Sequence, residues 1–169
     1  MSDPIREPGP DTVNAVLLPL RDERLLLPHL ALADAITPGA LRPAADGAPD
    51  WFAGWVVWQD LDLPVLRFER LNGGSHDSGG RRARIAVLQA MTAGAGGPRF
   101  GLLCDGHPQL TRLGRDALEA LPLRAADVAA LVLARARLDD RDAVIPDLAA
   151  IELRLAELLE TGTATAARS

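Results

Sequence analysis

The sequence predicts a mainly β domain closed by one C-terminal helix. Two observations carry that class. Between residues 14 and 145 the apolar residues come in short runs separated by turn-forming residues, mostly too short for helices. Only after Asp147 does a sustained helical spacing appear, with Leu148, Ile151, Leu155 and Leu158 on one face. Many short strands with a single helix imply barrels, because closure removes the open edges that a flat sheet exposes. The length of 169 residues and the 48% hydrophobic content suffice for one compact core, or for two small barrels sharing one.

Taken in order, residues 1–12 and 161–169 read as disordered tails, rich in Pro or in Thr and Ala, around a single domain over 13–160. Asn14–Leu20 and Leu25–His29 form a hairpin around Arg21-Asp22-Glu23-Arg24. Leu30–Ile36 reads as a brief helical or irregular piece, and Thr37–Asp50, with three prolines and two glycines, as a loop. Two strands, near Ala53–Gln59 and Asp62–Phe68, flank a tight turn. The segment NGGSHDSGG, Asn72–Gly80, has almost nothing to pack and reads as a mobile loop. Arg84–Met91 and Arg99–Asp105 pair around Gly94-Ala95-Gly96-Gly97, and His107–Leu113 adds a strand. Asp127–Leu138 stays open: Asp127 suits a helix cap, whereas Val128, Leu131, Val132 and Leu133 suit a buried strand equally well. Asp147 caps the terminal helix, an amphipathic lid on the β core whose outer face carries Glu152, Arg154, Glu157 and Glu160.

Composition excludes several function classes. All 18 basic residues are arginine, so a Walker A loop, a Schiff-base enzyme and a lysine general base are ruled out. The net charge of −5 and the scattered arginines, densest at Arg81, Arg82 and Arg84, argue against nucleic acid. No apolar run is long enough to span a membrane, and the first residues lack the apolar stretch of a signal peptide. The single cysteine, Cys104, has no internal disulfide partner. The expected location is cytoplasmic.

The stretch WFAGWVVWQDLDLPVLRFERL, Trp51–Leu71, resembles the most recognisable block of the CheW family of chemotaxis proteins, with Gly54, Pro64 and Leu71 matching its glycine, proline and final leucine. RFGLLCDGHPQL, Arg99–Leu110, is similar to the family's second-barrel strand, with Gly101 and Asp105 in place. ARARLDDRDAVIPDL, Ala134–Leu148, resembles its closing strands. The Trp55 and Trp58 pair, Arg67–Glu69 and Ile145–Glu152 are similar to ChpC-type adaptors of the chemosensory system that controls type IV pili and twitching. The resemblance implies two intertwined five-stranded SH3-like barrels with a C-terminal helix. It also implies a non-catalytic adaptor of a two-component system, recruited to membrane-associated receptor arrays. One surface would bind the regulatory domain of a CheA-type histidine kinase and another the cytoplasmic tip of a chemoreceptor. Gln59-Asp60 stands where the family usually carries Arg-Gly, which removes a fixed charge and a bidentate donor from the receptor-binding region. Asp34 sits near a family glutamate. The partner-binding set expected is therefore Leu32, Asp34, Gly54, Trp55 and Gln59.

The other chemistry-bearing residues have plainer readings. Contiguous His76-Asp77-Ser78 lacks triad geometry and is read as loop. Cys104 shares a strand face with Phe100 and Leu102, so it reads as a buried small residue and not as the nucleophile of a hydrolase with His107. The histidines at 29, 76 and 107 and Cys104 show no metal-ligand spacing, and no catalytic residue, metal or cofactor is expected. Gly94–Gly97 reads as a hairpin turn, not a dinucleotide fingerprint. Trp55 and Trp58 point to opposite faces of a strand. Either one is exposed as an interface anchor, Trp55 being the one that shares its face with Gln59, or both pack beneath loops or the terminal helix.

Overall fold

The computed structural model describes residues 12–75, 78, 80–89 and 99–161. Residues 1–11 and 162–169 of the expected tails, His76, Asp77 and the Gly94–Gly97 turn lie outside the described residues. In chain order the elements are β1 (Thr12–Pro19), β2 (Arg24–Pro28), β3 (Leu32–Ile36), β4 (Arg42–Pro43), β5 (Phe52–Trp58) and β6 (Leu61–Leu66). A single helical turn, α1 (Phe68–Leu71), follows. Then come β7 (Arg84–Gln89), β8 (Arg99–Cys104), β9 (Gln109–Gly114), β10 (Glu119–Leu121), β11 (Val132–Leu138), β12 (Arg141–Pro146) and α2 (Leu148–Glu160).

The strands form two six-stranded sheets, in the orders β3-β7-β8-β6-β5-β4 and β10-β11-β12-β2-β1-β9. Each has five principal strands and one short edge strand, β4 of two residues or β10 of three. Each is antiparallel except for one parallel pair, β6 with β8 and β12 with β2. The N-terminal hairpin β1–β2 completes the sheet made by β9–β12, so the two halves are interwoven.

The reason both faces of these strands are apolar lies in the packing. Successive residues of β1 alternate between two clusters: Val16 and Leu18 enter the central core, Ala15 and Leu17 a smaller one inside their own sheet. In β7, Ala86 and Leu88 enter the central core, while Ile85 and Val87 fill the interior of the other sheet. Each sheet thus wraps a core of its own and shares a third with its neighbour, as paired barrels require. Helix α2 covers the central core with all four predicted residues, Leu148, Ile151, Leu155 and Leu158. Asp147 caps it, accepting from the Ala150 amide at 3.1 Å.

Several expectations change. Leu30–Ile36 is a short 3₁₀ turn, His29–Ala31, followed by strand β3, which pairs with β7. Phe68 belongs to α1 and not to the preceding strand. The open segment Asp127–Leu138 resolves as a turn leading into β11, and Asp127 caps no helix. The Asn72–Gly80 segment does pack at Asn72 and Ser78, both buried. Ser78 donates from its amide to Glu69 Oε2 at 2.8 Å and from its hydroxyl at 2.5 Å.

Candidate partner-binding surface

Of the five residues expected to contact partners, three reach one end of the first barrel, built by β3–β8. Leu32 and Asp34 lie on β3, and Gln59 projects from the β5–β6 turn. Trp58 gathers this region. Its indole Nε1 donates to Asp34 Oδ2 at 2.7 Å, while Asp34 Oδ1 accepts from the Ala35 amide at 2.8 Å. Strands β3 and β5 are far apart in the sheet order, so this bond is a seam that closes the sheet into a cylinder. The Arg99 guanidinium lies over the Trp58 ring, 5.5 Å from its centroid. Val57 and Leu61 beside the turn are 56% and 49% exposed, which leaves apolar surface available for contact. Gln59 and Asp60, at φ 47° and 63°, form the left-handed two-residue turn that matches strand twist, and both are exposed.

The other two expected residues are structural. Trp55 is only 4% exposed and packs in the central core, edge-to-face on Phe52 with ring centroids 5.8 Å apart. Trp58 is buried in the first barrel's own interior. The tryptophans do point to opposite faces, but both faces are covered, so the exposed anchor expected at Trp55 is absent. Gly54 is buried at a bulge with φ +138°, and a Cβ there would run into the Arg42 carbonyl oxygen of β4. Its role is backbone fit. Reading the sequence gives no sign of Arg99, Val57 or Leu61 here, and it weighs Trp58 only as the lesser of the two possible anchors. Arg99 carries no local signal, because its position over Trp58 depends on how β8 and β5 meet across the barrel.

A second apolar surface lies on the second barrel, at a cleft lined by Val13, Leu26, Pro28, Leu113, Leu118 and Ile145. Val13, at its lip, is 59% exposed; Leu110 on edge strand β9, opposite Val16 and so on the other face of the sheet, is 77% exposed. Between the barrels runs a buried polar network. Arg135 donates from Nε and Nη2 to the two oxygens of Asp127, at 2.5 and 2.6 Å, and from Nη1 and Nη2 to Glu23 at 3.2 and 3.3 Å. Asn72 joins it from α1, donating to Asp127 at 3.0 Å and accepting from the Val128 amide at 2.7 Å. The bond to Arg135 holds the Asp127 carboxyl well below the usual carboxylate range, overcoming the opposing effect of burial.

Cys104 is fully buried, and burial pushes its thiol up to about 11; its sulfur contacts the Gly106 and Arg84 carbonyls while His107 is exposed. Among the described residues no group of three His, Cys, Asp or Glu side chains is placed to hold a metal, and no helix is long and apolar enough to cross a membrane.

The CheW-like domain family model matches residues 14–154. Among solved structures, the scaffolding protein TtCheW from Thermoanaerobacter tengcongensis superimposes with a TM-score of 0.68 at 18% identity, covering 88% of this chain and 91% of that one. At that identity the likeness is one of fold. No protein with curated function matches the chain by sequence.

Proposed function

The chain belongs to the CheW-like domain family, and from that premise we propose that it is a non-catalytic signalling adaptor coupling a chemoreceptor to a CheA-type histidine kinase. One observation carries the reading. Two separate apolar surfaces, the first-barrel mouth around Trp58 and the second-barrel cleft around Val13, sit on barrels that share a continuous core and are tied together by the Asn72 bonds to Asp127 and Val128. A body of this kind holds two partners in fixed register without chemistry of its own. The mouth, with Leu32, Asp34 and Gln59, takes the receptor's cytoplasmic tip; the cleft takes the kinase's regulatory domain. A typical specific contact buries about 800 Å² per partner, and a transient one less.

Titration of the full chain against the kinase regulatory domain and a receptor-tip fragment tests the reading. Both bind at micromolar concentration, and Val13→Arg, at the exposed lip of the cleft, weakens only the kinase. Absence of binding to either at tens of micromolar overturns it. A second reading, a kinase-binding module that does not engage receptors, is favoured by Gln59-Asp60, a turn without a cation; kinase binding without tip binding would establish it. The finer assignment to type IV pilus control is supported by Arg67–Glu69 and Ile145–Glu152. Deletion of the gene abolishes twitching and spares swimming if that branch is right.

A further inference from the structure

We propose that Arg99 is the specificity-determining cation of the first-barrel mouth, and that the receptor segment docking there presents a carboxylate beside an apolar side chain. The inference rests on the reading that this mouth faces the receptor. Along β8, Phe100, Leu102 and Cys104 enter the central core. Arg99 therefore stands on the opposite face with Leu103, whose side chain fills the first barrel. There its guanidinium is held over Trp58. Its Nε is buried and meets no acceptor, and among the described residues it makes no ion pair. Residues 90–98, which lead into β8, contain no Asp or Glu, and the oxygens of nearby Asp34 are engaged by Trp58 and Ala35. A half-buried cation without a counterion is costly, and the partner that relieves it is an anion.

The aromatic platform fixes the guanidinium, so less freedom is lost when its donors grip a carboxylate side-on. Leu61, paired with Trp58 in register and 49% exposed, offers the apolar contact beside it. The adjoining turn, Gln59-Asp60, supplies no cation, so charge discrimination falls to Arg99.

The full chain, as wild type and as Arg99→Gln and Arg99→Glu, is titrated by calorimetry with a chemoreceptor-tip fragment from the same genome and with the kinase regulatory domain, at two salt concentrations. Arg99→Gln weakens tip binding on the order of tenfold, flattens its salt dependence and leaves kinase binding unchanged. Arg99→Glu weakens it further and is partly rescued by a tip with one Glu→Lys change. Wild-type affinity and salt dependence in Arg99→Gln overturn the inference while the adaptor reading stands. Equal loss for both partners with a lowered melting temperature assigns Arg99 to packing and also overturns it. A wild-type chain that does not bind the tip removes both.

Discussion

The segments Trp51–Leu71 and Leu131–Ile151 are the same structural unit written twice, at a constant spacing of 80 residues (52 to 132, 68 to 148). Each begins with a bulge, Phe52/Gly54 or Val132/Ala134, and turns at two residues of positive φ, Gln59-Asp60 or Asp139-Asp140. Each then pins its helix by a bond back to the strand start, Arg67 N to Trp51 O at 2.7 Å and Asp147 N to Leu131 O at 2.9 Å. What differs is the chemistry at equivalent positions. Trp55 and Arg135 occupy the same place, at 4% and 3% exposure, one packed against Phe52 in the central core and the other bonded to Asp127 and Glu23. The fold demands that the position be buried and satisfied, and leaves open by which force. The helices diverge too. Asn72-Gly73, with Gly73 at φ +81°, ends the first after one turn, whereas the second runs on over thirteen residues.

The sharpest way to break this equivalence is at Asp127. Asp127→Ala leaves the buried Arg135 guanidinium with Glu23 as its remaining anion and lowers stability by about 3 kcal/mol or more in urea unfolding, whereas Asp127→Leu with Arg135→Met, which removes the buried ion pair and leaves Glu23 and Asn72 to water, recovers part of the loss. If the double variant is as unstable as the single one, the two positions are not interchangeable. The same ion pair sets an acid limit. Asp127 has a lowered folded-state pKa, so its stabilisation is complete above the ordinary carboxylate value. It is lost as pH falls below about 4, where the unfolded chain binds the proton first. Melting temperature should drop through that range, and less so in the double variant.

Next in size is the bulge. Gly54→Ala meets the Arg42 carbonyl and a left-handed backbone, and costs about 3 kcal/mol, while Ala134→Gly at the matching bulge costs about 0.5–1 kcal/mol through chain entropy alone. Asp147→Ala removes the helix cap for about 1 kcal/mol. Arg67, its counterpart, caps nothing with its side chain and donates instead to the Asp50 carbonyl at 3.2 Å. Smallest, replacing either positive-φ pair by Asn-Gly stabilises by about 0.5 kcal/mol, equally in both units if the turns are equivalent.

The parts of the fold legible in the sequence were those set by local pattern. The hairpins around Asp22 and Gln59 and the capped helix after Asp147 all follow from spacing and turn chemistry. Family resemblance supplied the pairing of barrels, which no local pattern encodes, since β1–β2 join strands more than eighty residues away. Leu30–Ile36 hid its strand because β3 is an edge strand with Asp34 and Ala35 breaking any alternation. Asp127 was ambiguous because its partner, Arg135, stands on the strand it precedes. At the candidate surface, Asp34 and Gln59 are legible as polar residues that stay exposed, whereas the family block that points to Gly54 and Trp55 as contacts does not show that a second face of the strand is also buried. Arg99 was invisible for the converse reason, its meaning being wholly a matter of distant neighbours.

The interweaving of the halves also matters while the chain is being made. Strand β2 ends at Pro28, yet its parallel neighbour β12 ends only at Pro146. At ordinary translation speeds the β2 edge of the N-terminal hairpin waits roughly 6–24 s for β12, although β9 is made earlier and can pair with β1. During that interval Leu25, Leu26 and Leu27 are bonded on the β1 side alone, so the second barrel closes only when nearly the whole chain has been made.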